Sequence, residues 1–464
     1  MEVRISSPDD PITRRAPPLA SEVGHVGLRE VGRLAWPVVV QMMSVNVMLL
    51  ADAFFVGHLG TAALAGVGLA GTAMMLVHSF GSGLFGGARV VTAYDTGAGL
   101  NTRAEETLSQ GLWLALGYGI PLLLLLPVAP TLLGLLGAGD RVTAHAAPYA
   151  TWLLMSAPLL CVEQVVTAWL QGRGDTRTPM VAAIGGNALN IALDSVFVIG
   201  AGVLPGFGTV GAAMATVLSR VAITAFLLLR VRGVLRRRWT RPTVVQLRRI
   251  AEYGAPMGVR WALDVTSWLA FATIVAWVGE AHLAAHVIGV RLIILSFLPG
   301  YAVGEAAGVI VGQSLGAQRP DLALAAWASA TRLALVLMLA VGSLFLFAPD
   351  FLLAPFHPTP EVAVIGRKIL LIAAAFQIVD AFATVGLGSL NGAGDTRFVM
   401  VISFVSAWMV KMPLVVGLAW GLGWGAPGAW LGLTGEIALI AALSVWRIRT
   451  GRLSRPVAVA SPQS

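Results

Sequence analysis

Apolar residues along this chain gather into long runs, each ended by glycine, proline or a cluster of charge. A helix needs about 20 predominantly apolar residues to cross the hydrocarbon of a bilayer. By that measure the runs predict twelve membrane helices near 33–56, 62–92, 107–136, 147–170, 180–202, 209–231, 251–278, 283–314, 322–348, 366–390, 398–420 and 428–446. Several are longer than the bilayer requires, so tilt or extension into the interface is expected.

Composition agrees with lipid as the solvent. Of the 464 residues, 57% are apolar and only 12% are Asp, Glu, Lys or Arg. The charged share is about half that of soluble domains, and a soluble core cannot hide so much apolar surface. The single cysteine, Cys161, excludes an intrachain disulfide and a multi-cysteine metal site. Residues 1–32 are polar, with Pro8, Pro11, Pro17 and Pro18, and lack the pattern of a cleaved signal peptide. The first span is expected to act as the targeting signal.

The net charge of +8 takes its meaning from where it sits. If the N-terminus is cytoplasmic, the outer loops hold only Arg141, Arg367 and Lys368, and most other basic residues fall in inner segments. The largest inner cluster runs from Arg230 to Arg249. Positive residues favour the cytoplasmic side, so both termini are expected inside, in the cell's inner (plasma) membrane. The charge then reflects topology and contact with lipid headgroups, not nucleic-acid binding.

The strongest feature is an internal repeat. GDTRTPM at 174–180 returns as GDTRFVM at 394–400, an offset of 220. Pro37 matches Pro256, LGTAALAG at 59–66 matches VGEAHLAA at 278–285, and TGAG at 96–99 matches LGAQ at 315–318, all at 219. A constant offset points to duplication of a six-helix unit. Six is even, so both copies enter from the same side and form parallel repeats. The chain is expected to be an all-α polytopic membrane protein with 12 transmembrane helices in two parallel pseudo-symmetric six-helix lobes. Its parts would be a cytoplasmic tail (1–32), an N-terminal lobe (33–232), a basic cytoplasmic linker (233–250), a C-terminal lobe (251–446) and a cytoplasmic tail (447–464).

The duplicated loops LQGRGDTRTPM (170–180) and LNGAGDTRFVM (390–400), with LADAFFVGHLG (50–60) and NALNIALD (187–194), resemble the multidrug and toxic compound extrusion (MATE) family, prokaryotic DinF-like branch. The resemblance covers roughly residues 30–446. It implies two lobes facing a central cleft and alternating between outward-open and inward-open states.

Seven carboxylates fall within predicted spans: Asp52, Glu163, Asp194, Asp264, Glu305, Asp380 and Glu436. Even insertion scales charge about 2.5–3.5 kcal/mol for an aspartate at a helix centre, so each is a functional candidate. Asp52 and Asp194 lie at similar depth near the outer ends of the first and fifth spans. Asn190 and Asn187 share a helix face with Asp194, and Thr216 in the sixth span lies near the same depth. Two carboxylates with amide and hydroxyl oxygens suit Na⁺. They also suit H⁺, because burial and a neighbouring like charge both disfavour the ionised carboxyl. The resemblance implies a coupling cation in this lobe at Asp52, Asn190, Asp194 and Thr216, with the Ala212 carbonyl.

Asp264 and Asp380 form a second candidate pair, in the C-terminal lobe. Other branches of the family place acidic residues there, usually Glu where this chain has Asp264. Arg260 and Lys411 are possible partners for these carboxylates, and Glu305 could pair with Arg291. Pro37 either makes the first helix bendable or sits harmlessly in its first turn. Met42, Trp261, Trp268, Phe297 and Tyr301 are candidate cleft residues suited to flat lipophilic cations. The GDTR loops lack a Walker lysine and are expected to fix helix ends. His282 and His286 show no zinc-protease spacing.

The expectation is a secondary antiporter, not an enzyme, working as a monomer without a cofactor other than H⁺ or Na⁺. It would export lipophilic, cationic small molecules and contact membrane lipids. The alternatives are a lipid-linked saccharide flippase of the same superfamily, a passive channel or a membrane enzyme.

Overall fold

The computed structural model describes residues 25–135, 139–201 and 204–454. The outer parts of both expected tails, 1–24 and 455–464, lie outside the described residues. In the N-terminal half run α1 (Leu28–Gly57), α2 (Thr61–Gly97), α3 (Asn101–Leu122), α4 (Ala129–Leu135), α5 (Asp140–Met155), α6 (Ala157–Gly172), α7 (Arg177–Phe197) and α8 (Gly208–Arg238). A two-residue hairpin, β1 (Gly200–Ala201) with β2 (Leu204–Pro205), joins α7 to α8. The C-terminal half holds α9 (Val244–Val278), α10 (Glu280–Gly316), α11 (Pro320–Phe347), α12 (Pro349–Leu353), α13 (Pro360–Gly392), α14 (Thr396–Gly421) and α15 (Gly425–Arg449). Among the described residues ten helices are long and apolar enough to span a membrane, or twelve when each bent pair counts as one span. Large apolar side chains such as Leu124, Val336 and Phe347 are exposed, as a lipid-facing surface requires.

Several boundaries differ from the sequence expectation. The linker expected over 233–250 shrinks to 239–243, because α8 continues to Arg238 and α9 begins at Val244. Arginines need not leave a helix whose end reaches the headgroups. The third expected span ends early: α3 stops at Leu122, and a segment containing Pro127 separates it from the short α4. The fourth is a pair, α5 and α6, meeting at 51° around Ser156. The fifth stops at Phe197, where the hairpin begins. Pro37 lies nine residues inside α1, so the reading as a first-turn proline fails.

The duplicated loops show why they recur. Gly174 (φ 86°) and Gly394 (φ 73°) take the left-handed conformation that ends a helix. The amides of Asp175 and Asp395 then reach back to the carbonyls of Leu170 and Leu390, both at 2.9 Å. The Asp175 carboxylate accepts from the Thr178 amide (3.0 Å) and hydroxyl (2.6 Å), which starts α7. The Asp395 carboxylate accepts from Arg447 at 2.8 Å and fixes the end of α15.

Each lobe has its own apolar core, around Phe85, Leu108 and Trp169 in the first and Phe271, Phe376 and Trp430 in the second. The lobes interlock at the end that carries the described chain termini. Gly83, Gly87, Gly254 and Gly258 let α2 and α9 cross so closely that a β-carbon on any of them would strike the partner's backbone. Gly97 and Gly316 do the same between α2 and α10. Arg249 on α9 forms a two-point ion pair with buried Asp95 on α2, at 2.6 and 2.9 Å. The start of α1, with Val31 and Leu34, packs into the second lobe's core beside Val303, Ala307 and Ala330.

Candidate functional site

The first lobe holds a buried carboxylate pair. Helix α1 supplies Asp52, α7 supplies Asn190 and Asp194, α8 supplies Ala212 and Thr216, and α5 supplies Tyr149. The Asp52 and Asp194 carboxyl groups face each other within reach of a shared proton. Asn190, in the orientation that satisfies both neighbours, donates to Asp52 Oδ1 at 2.9 Å and accepts from the Thr216 amide at 3.2 Å. Thr216 Oγ1 donates to the Ala212 carbonyl at 3.0 Å, and Tyr149 belongs to the same packed cluster as Ala212. Asp194 and Asn190 are fully buried. Two buried carboxyl groups this close require a shared proton or a cation beside them, because two bare anions repel. Asp194 Oδ1 has no hydrogen-bond partner among the described residues.

Asn187 stands apart from this cluster. Its amide donates to Ser44 Oγ on α1 at 2.8 Å, so it ties α7 to α1 and does not meet the carboxylates. Tyr149 was missed in the sequence. It belongs to none of the motifs above, and α5 carries it to the cluster around Ala212.

The second lobe contains a cavity of about 420 Å³. Trp261, Trp268, Phe297 and Tyr301 line it, and Met75 of α2 is the first lobe's contribution. Met42 does not line it, contrary to expectation. It lies on α1, where its carbonyl accepts from Asn46.

The charges in this cavity are mostly paired. Arg260 meets Asp264 at 3.0 Å, one turn along α9. Lys411 Nζ meets Glu436 at 2.7 Å and lies 5.4 Å over the Trp268 ring. Glu305 pairs with Arg89 from α2 of the other lobe, which corrects the expected pairing with Arg291. Arg89 had gone unremarked in the sequence, although a basic residue inside an apolar span is costly enough to flag. Among the described residues Asp380 is left with one partner, the Thr384 hydroxyl at 3.1 Å. The cavity thus keeps one carboxylate without a cation, set among aromatic rings. Lys411 ends a π-helical stretch of α14, a distortion common at functional positions.

The two histidines serve packing. His282 Nδ1 accepts from the Ala426 amide at 3.0 Å, and His286 Nδ1 from Trp430 Nε1 at 3.3 Å. Both bonds join α10 to α15.

Comparison with known proteins gives one consistent result. The family model MatE matches twice, at residues 37–196 and 256–416. The two matches start 219 residues apart and end 220 apart, which reproduces the internal repeat. A probable multidrug resistance protein NorM of Burkholderia pseudomallei is 30% identical over 428 residues, covering 90% of this chain and 92% of the relative. The probable NorM of Thermotoga maritima is 28% identical over 430 residues, covering 91% and 92%. Among solved structures, an outward-facing multidrug resistance MATE transporter of the MOP superfamily superimposes with a TM-score of 0.83 at 23% identity, covering 95% of this chain and 98% of that one. A MATE in the straight conformation gives 0.81 at 24%, covering 95% and 98%.

Proposed function

The chain belongs to the MatE family, whose members are transporters and not enzymes, and on that premise we propose that it exports lipophilic monovalent cations in exchange for H⁺. The observation that carries the reading is the charge balance of the second lobe's cavity. Three of its four carboxylates are neutralised by arginine or lysine, and Asp380 alone remains for a cation brought by the substrate. Trp261, Trp268, Phe297 and Tyr301 offer π-faces and apolar area to a flat cation. A flippase for lipid-linked saccharides would need unpaired cations for pyrophosphate. Arg260 and Lys411 are already paired, so that reading is set aside.

Coupling resides in the other lobe. The close approach of the Asp52 and Asp194 carboxyl groups suits a shared proton. Na⁺, held by the oxygens of Asn190, Thr216 and Ala212 with the two carboxylates, is the second reading. The helix α1 connects the two events. Its far end holds Asp52, its near end packs in the second lobe, and Pro37 lies between them. Proline removes a backbone hydrogen bond and lets the two ends move separately. Cation binding at Asp52 shifts the lobes only as far as the two states differ in affinity.

In this reading the termini are cytoplasmic in the inner membrane, the chain acts as a monomer, and arginines such as Arg236, Arg237 and Arg238 at the end of α8 meet anionic lipid headgroups. Everted vesicles containing the protein should accumulate tetraphenylphosphonium above its external concentration under an imposed gradient. Equilibration without accumulation would make it a channel.

A further inference from the structure

The ion pair between Arg89 and Glu305 lies where the two lobes meet, under the cavity. Glu305 lines the cavity and also a narrow crevice below it, shared with Arg89, Val90, Gly388, Asn391 and Gly392. On the first lobe's side the Gln171 amide oxygen accepts from Arg89 Nη1 at 3.3 Å. Gln171 and Asn391 hold the same place in the duplicated loops, 220 residues apart. The repeated motif therefore brings one amide to each side of the pair. The contact continues toward the termini, where Gln313 of α10 donates to the Gly172 carbonyl at 2.9 Å. Backbones approach too closely here for side chains to intervene: a β-carbon on Gly172 would strike the Arg89 carbonyl, and one on Gly392 would strike Gly308.

We propose that Arg89 and Glu305, flanked by Gln171 and Asn391, are the gate that closes the cavity on the side of the termini. We further infer that an entering cationic substrate takes Arg89's place on Glu305 as the gate opens. The second part rests on the function proposed above.

The physical reason is asymmetry in cost. A buried ion pair is worth little against well-packed apolar residues, but parting it leaves two uncompensated charges. An empty cavity offers Glu305 no other cation, so the gate stays shut and the pathway does not leak. A substrate cation supplies the missing charge and lowers the cost of opening. In the arrangement seen here Arg89 occupies Glu305, so a cation in the cavity has only Asp380, which favours its release on the far side.

The test uses the full chain in everted vesicles, which expose the side of the termini if that side is cytoplasmic. Cys161→Ala removes the native thiol, and Val90→Cys places a reporter in the crevice wall. A membrane-impermeant maleimide should label the reporter slowly. Arg89→Gln or Glu305→Gln should each speed labelling about tenfold, within the usual range of coupling free energies. The exchange Arg89→Glu with Glu305→Arg should restore slow labelling, which a misfolded variant would not do. Continued protection in the single variants, or failure of the exchange to restore it, overturns the gate. Tetraphenylphosphonium should speed labelling in the reporter protein and have no further effect with Glu305→Gln. If the single variants open the gate while tetraphenylphosphonium changes nothing, the exchange of cations on Glu305 is overturned and the gate stands. Separate loss of tetraphenylphosphonium accumulation would locate the failure in the proposed substrate.

Discussion

The carboxyl groups of Asp52 on α1 and Asp194 on α7 face each other inside the first lobe within reach of a shared proton, and Asn190, one turn before Asp194, donates to Asp52. Asp194 is fully buried and Asp52 nearly so. Two carboxyls held in this way must share a proton or hold a cation. The pair is positioned by three helices and is separate from the aromatic cavity, so in the proposed exchange the coupling ion and the substrate need not compete for one carboxylate.

Asp380 and Asp264 should therefore respond differently to neutralisation. Asp380→Asn removes the one cavity carboxylate without a cationic partner among the described residues and should weaken tetraphenylphosphonium binding about tenfold or more, with little loss of stability. Asp264→Asn leaves Arg260 unpaired, so it should lower thermal stability in detergent as well. Binding isotherms and melting curves on both purified variants separate the two roles.

Lys411 should behave as a structural cation. It is 2% exposed and paired with Glu436. Lys411→Met should destabilise by about 3 kcal/mol, because Glu436 is then left alone. Adding Glu436→Gln should recover most of that loss. A double variant no more stable than Lys411→Met would mean that the pair is not the source of the cost.

The glycine crossing of α2 and α9 predicts a locked transporter. A β-carbon at Gly254 would strike the Leu84 carbonyl, so Gly254→Val should prevent the lobes from closing on the side of the termini. Expression should persist, and transport should fall about tenfold or more, since interfaces of this kind are bistable and do not deform continuously. Maleimide labelling of Val90→Cys in that background should rise.

Asn187 tests how far the cation site extends. Its amide bonds Ser44 and not a carboxylate. Asn187→Ala should cost about 1 kcal/mol of stability and leave the ion dependence of transport unchanged, whereas Asn190→Ala should alter it. Transport assays over a range of pH and sodium concentrations distinguish the two.

Much of the architecture was legible before the structure. The repeat is carried by local turn chemistry, Gly174 and Gly394 with Asp175 and Asp395, and such chemistry survives in sequence. Asp52, Asp194 and Asp380 stood out because ionised groups in apolar spans are costly wherever they occur. What could not be read depends on helix rotation and contact between elements. Arg89 meets Glu305 across the lobes, and no spacing within one helix records that. Arg291 was an attractive partner for Glu305 only because both lie on α10. Met42 misled for the same reason: helical position does not say which face meets the cavity. Tyr149 joins the cluster of Ala212 from a different helix, and the π-helical turns of α14 at Val405–Lys411 and Val416–Gly421 leave no mark in the apolar spacing.

The central claim, that Asp52 and Asp194 couple cation entry to export, is tested most directly in everted vesicles with the pH and sodium gradients imposed one at a time. In the unaltered protein a pH gradient alone should drive tetraphenylphosphonium accumulation, and neither Asp52→Asn nor Asp194→Asn should accumulate it, although both reach the membrane. Undiminished accumulation in either variant would contradict the account.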